Sequence, residues 1–378
     1  MTKAKFIKFI IASVLAIAAL FLPYESLGFD AASPMGPLNP LEIRVIGVFV
    51  MAALFWILQP FPIWSTSMLV IVLMIVTMSD SSLAPFRVDG VTMISHKSIM
   101  ATFANPIIML FLGGFFLAAA ATKYKMDLNL ARVLLKPFGK NPKFVLLGLM
   151  LITAVFSMFM SNTATAAMML AILAPVLKLF DEDDRGKAAF ALAIPLGANI
   201  GGMGTPIGTP PNAIALGALQ EAGYNITFAG WMLRMVPYVI LMLVIAWVLL
   251  MKLYPFKAKS IELKIEGAPV KVTPFQKYVV WVTFALTIIL WVGESIFKIN
   301  SNIVAMIPFA VFSATGIMKA KHLEHINWAV LWMVAGGFAL GTALNQTGLA
   351  STLIKTIPFA NWNALVVMLV GGFICYFL

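Results

Sequence analysis

The chain has 378 residues, of which 61% are hydrophobic and 11% are charged, and its mean hydropathy is +0.97. This composition excludes a soluble domain with one core and predicts an all-α, polytopic membrane protein surrounded by the lipid bilayer. The net charge of +11 does not indicate a nucleic acid partner, because the lysines collect in a few connecting segments, as they do in the cytoplasmic loops of membrane proteins.

The first apolar run follows Lys3, Lys5 and Lys8. Secretory signals begin in the same way, but no small-residue cleavage site follows this run. We therefore predict a retained first helix with a cytoplasmic N-terminus, in a multi-pass protein of the cell membrane, here the bacterial inner membrane. The runs long enough to cross about 30 Å of hydrocarbon are Phe6 to Leu22, Ile43 to Leu58, Ile63 to Met78, Pro106 to Thr122, Trp231 to Leu250, Tyr278 to Val292, Ile303 to Met318 and Trp328 to Leu344.

A basic segment follows the fourth run, from Lys123 to Lys143. Counting crossings from a cytoplasmic start places this segment inside, as the positive-inside rule requires. Within it, Asp127 to Phe138 combines leucines and a valine with Arg132 and Lys136, which predicts an amphipathic arm helix at the membrane interface.

The next stretch, Phe144 to Phe180, predicts a re-entrant hairpin. A single crossing here would place the basic linker Lys252 to Lys277 outside, against the positive-inside rule. The arms Phe144 to Met160 and Ala164 to Phe180 have 17 residues each, about 25 Å of helix, which is short for a crossing. We place Ser161-Asn162-Thr163 at the hairpin tip; two short full spans are the alternative.

The following apolar region contains an interruption at residues 201–212. Three prolines and four glycines in these twelve residues exceed what a kinked helix requires, because proline lacks an N–H donor and glycine disfavours helix. The pattern predicts a discontinuous helix with an unwound break. At membrane depth such backbone is tolerated only where it lines a cavity, so the hairpin tip and the break together predict a binding site.

An internal repeat relates residues 113–120 to residues 336–343, which lie 223 positions later and are identical at five of eight positions. The crossing count gives the first copy an inward direction and the second an outward one. This predicts inverted repeats, the common architecture of secondary transporters. Glycine pairs also serve close helix packing, which is the alternative explanation.

These segments predict four parts. Residues 1–143 are mainly scaffold helices with the arm helix, and residues 144–228 form the first half of a transport domain. Residues 229–361 are scaffold helices of the second repeat, with a cytoplasmic linker at 254–275, and residues 362–378 begin a second hairpin. The repeat offset places a second Ser-Asn-Thr tip near position 384, so we expect the sequence to be truncated and to lack half of its binding site.

The chemistry expected at the tip and the break is that of an anion site without basic groups in these segments. No charged residue lies between Phe144 and Leu177, and between Ala188 and Leu233 the only one is Glu221. Helix N-termini, hydroxyls and a co-bound cation must therefore balance an anion. Exposed carbonyl oxygens suit sodium, and co-binding would couple the two ions.

Other reactive groups are few. His322 and His325 have the spacing of a possible metal pair, but without a third ligand they are better explained as a solvated interfacial pair. Cys375 is the only cysteine, which excludes an internal disulfide. An integral membrane enzyme would need an acid/base pair or a nucleophile at membrane depth, and none is visible, so we do not expect an enzyme.

Ser157-x-x-x-Ser161-Asn162-Thr163, followed by Gly208-Thr209-Pro210-Pro211-Asn212 and the glycine repeats, resembles the divalent anion:sodium symporter family of dicarboxylate transporters. The resemblance implies an ion-transporter elevator fold and a homodimer. It implies secondary active transport of a di- or tricarboxylate coupled to sodium; a sodium-independent dicarboxylate exchanger or a related oxyanion permease is the alternative.

Carried onto this sequence, the resemblance implies two groups of ligands. The sodium ligands would be Ser157, Ser161, Asn162 and Gly208. The dicarboxylate would be bound by Ser161, Asn162, Thr163, Thr209 and Pro210. Structural roles compete with these assignments: Ser157 and Thr165 can bond back to the preceding helical turn, and Asn162 can cap the second hairpin arm.

Overall fold

The computed structural model describes residues 2–30, 36–178, 180–261, 272–356 and 362–377. Most of them are helical, and within these ranges strand pairing is limited to one isolated bridge between Ser79 and Ile94. The predicted all-α class is confirmed. Residues 262–271 of the predicted linker lie outside the described residues, as does Leu378, and so does the side chain of Cys375. The second hairpin tip near position 384 stays a prediction.

The described α-helices, numbered along the chain, are α1 Lys3–Leu20, α2 Pro40–Leu58, α3 Ile63–Met78, α4 His96–Ala101, α5 Pro106–Lys123, α6 Met126–Leu135, α7 Pro142–Ser157, α8 Asn162–Leu177, α9 Gly186–Gly202, α10 Pro210–Glu221, α11 Phe228–Leu253, α12 Pro274–Val292, α13 Glu294–Phe297, α14 Ser301–Val304, α15 Met306–Ala314, α16 Trp328–Gln346, α17 Leu349–Thr356 and α18 Ala364–Phe377.

Several of these helices are long and apolar enough to cross a bilayer, which confirms the polytopic character. Among the described residues five ranges meet that requirement: Pro40–Leu58, His96–Lys123, Phe228–Leu253, Pro274–Val292 and Trp328–Gln346. Shorter apolar helices include the two hairpin arms, α7 and α8.

The chain divides into two compact units, residues 1–105 with 328–378 and residues 106–327. In the first unit α16 packs against α3. Gly336 permits this approach, because a Cβ atom there would lie 2.4 Å from the Cβ atom of Ser67. The second copy of the glycine repeat therefore serves close helix packing.

In the second unit α7 and α9 form the most extensive helix pair. Two glycines of α9 face the backbone of α7: a Cβ atom on Gly197 would lie 2.9 Å from the Met150 carbonyl oxygen, and one on Gly201 would lie 2.3 Å from the Cα atom of Ala154. The first repeat copy behaves similarly, since a Cβ atom on Gly113 would lie 2.0 Å from the carbonyl oxygen of Ala305. Small residues let these helices approach at backbone distance.

The hairpin arms form helices as predicted, but the turn lies earlier than expected. The first arm ends at Ser157, and the irregular residues are 158–160. Ser161 is the N-cap of α8, so Asn162 and Thr163 form its first turn. The predicted tip is thus the start of the second arm, and the expected capping role of Asn162 is wrong because Ser161 fills it.

The predicted break is confirmed with narrower limits: α9 continues through Gly202, and α10 begins at Pro210. One predicted run differs, since Ile303 to Met318 contains two helices, α14 and α15. Pro308 explains the interruption, because its ring clashes with the carbonyl four residues earlier, which belongs to Val304, the last residue of α14.

The connection between α8 and α9 is fixed by a buried carboxylate that the sequence did not reveal. Asp184 is 4% exposed. It accepts hydrogen bonds from the backbone N–H groups of Gly186 at 2.8 Å, Lys257 at 3.2 Å and Ala258 at 3.0 Å. These bonds attach the start of the linker to the α8–α9 connection, and the carboxylate has a donor at each oxygen.

Candidate functional site

Three oxygen atoms meet where the first hairpin arm ends. Ser157 is fully buried, and its Oγ atom lies 2.7 Å from Asn162 Oδ1 and 2.7 Å from the carbonyl oxygen of Ala198 on α9. Asn162 Nδ2 donates a hydrogen bond to Asn199 Oδ1 at 3.2 Å. We call Ser157 Oγ, Asn162 Oδ1 and Ala198 O the oxygen cluster. Ser157 therefore does not bond back to its own preceding turn, as its structural alternative required.

Two glycines allow the break to approach this cluster. A Cβ atom on Gly202 would lie 2.5 Å from Asn162 Oδ1, and one on Gly208 would lie 2.3 Å from the carbonyl oxygen of Gly202. Only glycine fits such distances. Of the predicted sodium ligands, Ser157 and Asn162 are thus in direct contact. Gly208 contacts Gly202, and Gly202 contacts Asn162.

The irregular segment between α9 and α10 is held by one amide. Asn212 is 7% exposed, and its Nδ2 atom donates to the carbonyl oxygens of Gly202 at 2.9 Å and Thr205 at 2.8 Å. Thr205 in turn donates to the carbonyl oxygen of Met158 in the hairpin turn. Asn212 and Thr205 therefore tie the break to the hairpin. The sequence signal was an amide directly after two prolines in an apolar region.

The start of α8 offers hydrogen-bond donors. Ser161 Oγ accepts a hydrogen bond from the N–H group of Ala164 at 3.3 Å. Within the described ranges no acceptor is found for the N–H groups of Asn162 and Thr163. Free N–H groups at a helix N-terminus, together with the helix dipole, favour an anion.

The start of α10 differs. Thr209 occupies the N-cap position without a side-chain cap, and Pro210 and Pro211 fill the first two helical positions. Prolines have no N–H group, so this terminus provides the dipole but few donors. Thr209 and Pro210 are half-buried, whereas Thr163 is exposed. In the described structure no hydrogen bond joins these three residues to one another, and their common role in anion binding stays a prediction.

A cavity of about 470 Å³ opens beside the hairpin turn. On one side it is lined by Met160, Ser161 and Ala164, and on the other by Lys123 and His322. The anion site predicted from the sequence lies at the hairpin tip and the break, and residues 144–177 and 201–212 carry no basic side chain. The second wall, from the end of α5 and the segment before α16, brings basic groups to the same cavity.

The family model described as citrate transporter, CitMHS, matches residues 53–378. The chain belongs to this family. It is 30% identical to the sodium-dependent dicarboxylate transporter SdcS of Staphylococcus saprophyticus, a match covering 88% of this chain and 69% of the relative. It is also 29% identical to an inorganic phosphate transporter of Saccharomyces cerevisiae, covering 84% of this chain but 34% of the relative. An uncharacterized transporter of Haemophilus influenzae is 30% identical, with 90% and 74% covered.

Membership in the citrate transporter family makes this chain a membrane transporter of a carboxylate-transporting family and not an enzyme. It also gives the resemblance to sodium-coupled dicarboxylate transporters independent support. The chain spans about a third of the yeast phosphate transporter, so the activity of that whole protein is not transferred.

The residues at the hairpin fit a hard cation. The oxygen cluster supplies a hydroxyl, an amide oxygen and a carbonyl oxygen, the neutral ligand types that such cations accept. One turn into α8, the fully buried Thr165 hydroxyl has no hydrogen-bond partner. An unpaired buried hydroxyl is costly unless a ligand meets it. Among the described residues, no group of three or more His, Cys, Asp or Glu residues offers a competing metal site.

Proposed function

We propose that the protein carries a di- or tricarboxylate anion across the membrane by secondary active transport coupled to sodium ions. The observation that carries this proposal is the oxygen cluster at the end of the first hairpin arm, together with the unpaired hydroxyl of Thr165, three residues after Asn162 on α8. Sodium, the co-transported ion, would be held by Ser157, Ser161, Asn162 and the backbone near Gly208. The name of the Staphylococcus relative, a sodium-dependent dicarboxylate transporter, supports the same assignment.

The anion would be bound by Ser161, Asn162, Thr163, Thr209 and Pro210. The support is electrostatic: α8 presents free N–H groups of Asn162 and Thr163, and the positive ends of α8 and α10 attract negative charge. A sodium ion at the oxygen cluster would lie next to the same Asn162. Each ion would lower the electrostatic cost of binding the other, which is a physical basis for coupling.

The same proposal includes alternating access by an elevator movement of a homodimer, which the resemblance in the hairpin and break motifs supports. It also assigns the protein to a bacterial inner membrane with a cytoplasmic N-terminus.

Thr163→Cys, at an exposed position and in a Cys375→Ser background, tests alternating access. It should react with membrane-impermeant reagents from either side, and sodium with succinate should change the reaction rates in opposite directions. Reaction from one side only, whatever the ligand, would exclude alternating access.

Uptake into liposomes tests the coupling. Purified protein is reconstituted and given labelled succinate or citrate with an inward sodium gradient, with a potassium gradient of equal size, or with succinate already inside. Uptake that requires the sodium gradient supports symport. Uptake that requires internal succinate and ignores sodium would instead establish a sodium-independent exchanger.

A related oxyanion permease is the second candidate, and the match to the yeast phosphate transporter favours it. The donors at the start of α8 do not distinguish a carboxylate from a phosphate, because both present negative oxygen atoms to N–H groups. Competition by unlabelled phosphate and sulfate against labelled succinate separates the two. Stronger competition by phosphate than by citrate would favour the oxyanion permease.

A further inference from the structure

The cavity beside the hairpin has a basic wall that the proposed function does not use. Lys123 is the last residue of α5, and His322 and His325 lie in the short 3₁₀ segment that precedes α16. These three residues line the same cavity as Ser161. Lys123 Nζ donates a hydrogen bond to the carbonyl oxygen of Ile317 at 2.6 Å, which joins the two segments. This contact agrees with the crossing count, which places the segment with Lys123 on the cytoplasmic side and the segment with His322 on the same side.

The side chains of this wall can donate hydrogen bonds to an anion. The ammonium of Lys123 uses one of its three donors on Ile317 and keeps two. His322 Nδ1 accepts a hydrogen bond from the N–H group of Lys319 at 2.9 Å, so the neutral ring carries its proton on Nε2 and donates there. No carboxylate is among the residues that line the cavity. The wall therefore combines a positive charge with donors and has no acidic partner of its own.

The charge around His322 supports this assignment. Burial, together with the neighbouring charges of Lys123, Lys321 and His325, lowers the pKa of His322. Lys319 and Glu324 complete the titratable groups of its own segment, and the hairpin turn opposite contributes none. Burial first, and the neighbouring positive charges second, thus disfavour the protonated ring. An anion placed among these groups would reverse that effect and raise the pKa of His322.

A metal ion is the less suitable occupant. The ring centroids of His322 and His325 lie 6.5 Å apart, and the ammonium of Lys123 faces the same space, so a cation would meet repulsion. Transition-metal sites also need three or four ligands, and the remaining lining residues are mainly apolar. The chemistry of the wall selects for negative charge.

We propose that Lys123, His322 and His325 form an anion-capture site, which holds a carboxylate group of the substrate as the substrate passes between Ser161 at the start of α8 and the cytoplasmic side of the membrane. This proposal rests on the proposed function, because it takes the transported solute to be a carboxylate. A cavity lined by one sign of charge raises the local concentration of the opposite charge and the rate of association. Capture here would leave sodium binding at the oxygen cluster unchanged.

Chemical protection tests the site without transport. The purified protein is treated with diethyl pyrocarbonate in disodium succinate or in sodium chloride of equal sodium concentration, with choline chloride added to equalise the ionic strength. The modification of each histidine is followed by peptide mass spectrometry. Succinate should slow the modification of His322 at least threefold and leave His96, which is bonded to Asp80, unchanged. Equal rates at His322 in both salts, or equal slowing at His96, would overturn the proposal.

Matched variants test the role of the site in uptake. In proteoliposomes, protein whose cytoplasmic side faces the added succinate should need about three- to tenfold more succinate for half-maximal uptake in Lys123→Gln and in His322→Gln. The half-saturating sodium concentration, measured at saturating succinate, should not change. Lys321 acts on His322 only through its charge, is exposed and does not line the cavity, so Lys321→Gln should change the half-maximal succinate concentration less than twofold. Lys123→Arg keeps the positive charge and donors for the Ile317 carbonyl oxygen, and it should retain function.

The two proposals fail separately. If the unmodified protein shows no sodium-dependent succinate uptake, the proposed symport fails, and the protection of His322 still decides whether the cavity captures succinate. If uptake is robust but Lys123→Gln and His322→Gln match Lys321→Gln, the capture site is wrong and the symport stands. A Lys123→Gln protein that aggregates in size-exclusion chromatography leaves the decision to His322→Gln, which breaks no bond to Ile317.

Discussion

Two buried polar groups of the second unit differ in how completely their hydrogen bonds are made. Both oxygens of Asp184 receive backbone N–H donors, so nothing remains for a ligand. At the hairpin, by contrast, the Thr165 hydroxyl has no partner and the first N–H groups of α8 have no acceptor in the described structure. Since most buried polar groups are paired in a stable fold, the contrast agrees with a structural role for Asp184 and with the proposed binding role of the hairpin.

Asn162→Ala should have the largest effect on sodium-dependent uptake. The substitution removes Oδ1 from the oxygen cluster and the donor to Asn199. Losing such bonds to an ion costs about 1.5–3 kcal/mol each, so sodium-dependent uptake should fall at least about tenfold, to near the background of empty liposomes. Asn129→Ala, an exposed asparagine on α6, serves as the control. Normal sodium dependence in Asn162→Ala would show that the cluster is not the sodium site.

Gly202→Ala tests the oxygen cluster by placing an additional methyl group against it from α9. The added methyl group would lie 2.5 Å from Asn162 Oδ1, and Asn162 is already bonded to Ser157 and Asn199, so the amide has to move. Overpacking of this kind costs about 1–3 kcal/mol, and the half-saturating sodium concentration should rise about tenfold. Gly371→Ala, where a Cβ atom meets nothing within 4 Å, should leave it unchanged. Unaltered sodium activation in both variants would contradict the close approach.

The apolar runs predicted the helices well, because hydropathy is a property of consecutive residues in the chain. The bounds Ile63–Met78 agree with the sequence to the residue, and the break fell within its predicted segment. The hairpin turn was misplaced by three residues, because Met158, Phe159 and Met160 are as apolar as the helix before them. Hydropathy also could not detect the interruption at Ala305, between α14 and α15, which Pro308 causes.

Only those residues of the candidate site that lie close together in the sequence could be predicted. Ser157 and Asn162 are five positions apart and were visible as one motif. Their partner on α9, Asn199, and the second wall of the cavity, Lys123 and His322, come from distant segments. Only tertiary packing brings these groups together, and no local pattern encodes that packing.

Asp184→Asn should affect stability and leave transport intact. The carboxylate accepts three backbone N–H groups, whereas an amide presents a donor to at least one of them. Hydrogen bonds to a buried charged group are worth about 1.5–3 kcal/mol, so the melting temperature in detergent should fall by several degrees. The half-saturating sodium concentration should stay within twofold.

Its neighbour Asp183 provides the matched control. Asp183 is exposed and paired with Lys257 at the surface, where ion pairs contribute little. Asp183→Asn should therefore melt like the unmodified protein. If Asp184→Asn changed sodium activation without changing the melting temperature, the assignment of Asp184 to structure would be wrong.

The smallest effect is expected from a substitution of the unpaired hydroxyl at Thr165. Thr165→Val replaces an unpaired buried hydroxyl by a methyl group of similar size. Removing a polar group that has no partner is neutral or slightly stabilising, so the melting temperature should not fall. If the hydroxyl binds sodium, the half-saturating sodium concentration should rise about threefold to tenfold, which corresponds to the loss of about one hydrogen bond.

Thr153→Val is the matched control, because Thr153 is equally buried on α7 but donates to the carbonyl oxygen of Leu149 at 2.6 Å. This hydroxyl already has its partner, so its loss should lower the melting temperature slightly and leave sodium activation unchanged. Thr165→Val should therefore change sodium activation without lowering the melting temperature, whereas Thr153→Val should lower the melting temperature without changing sodium activation. A Thr165→Val protein with unchanged sodium activation would remove Thr165 from the proposed sodium site.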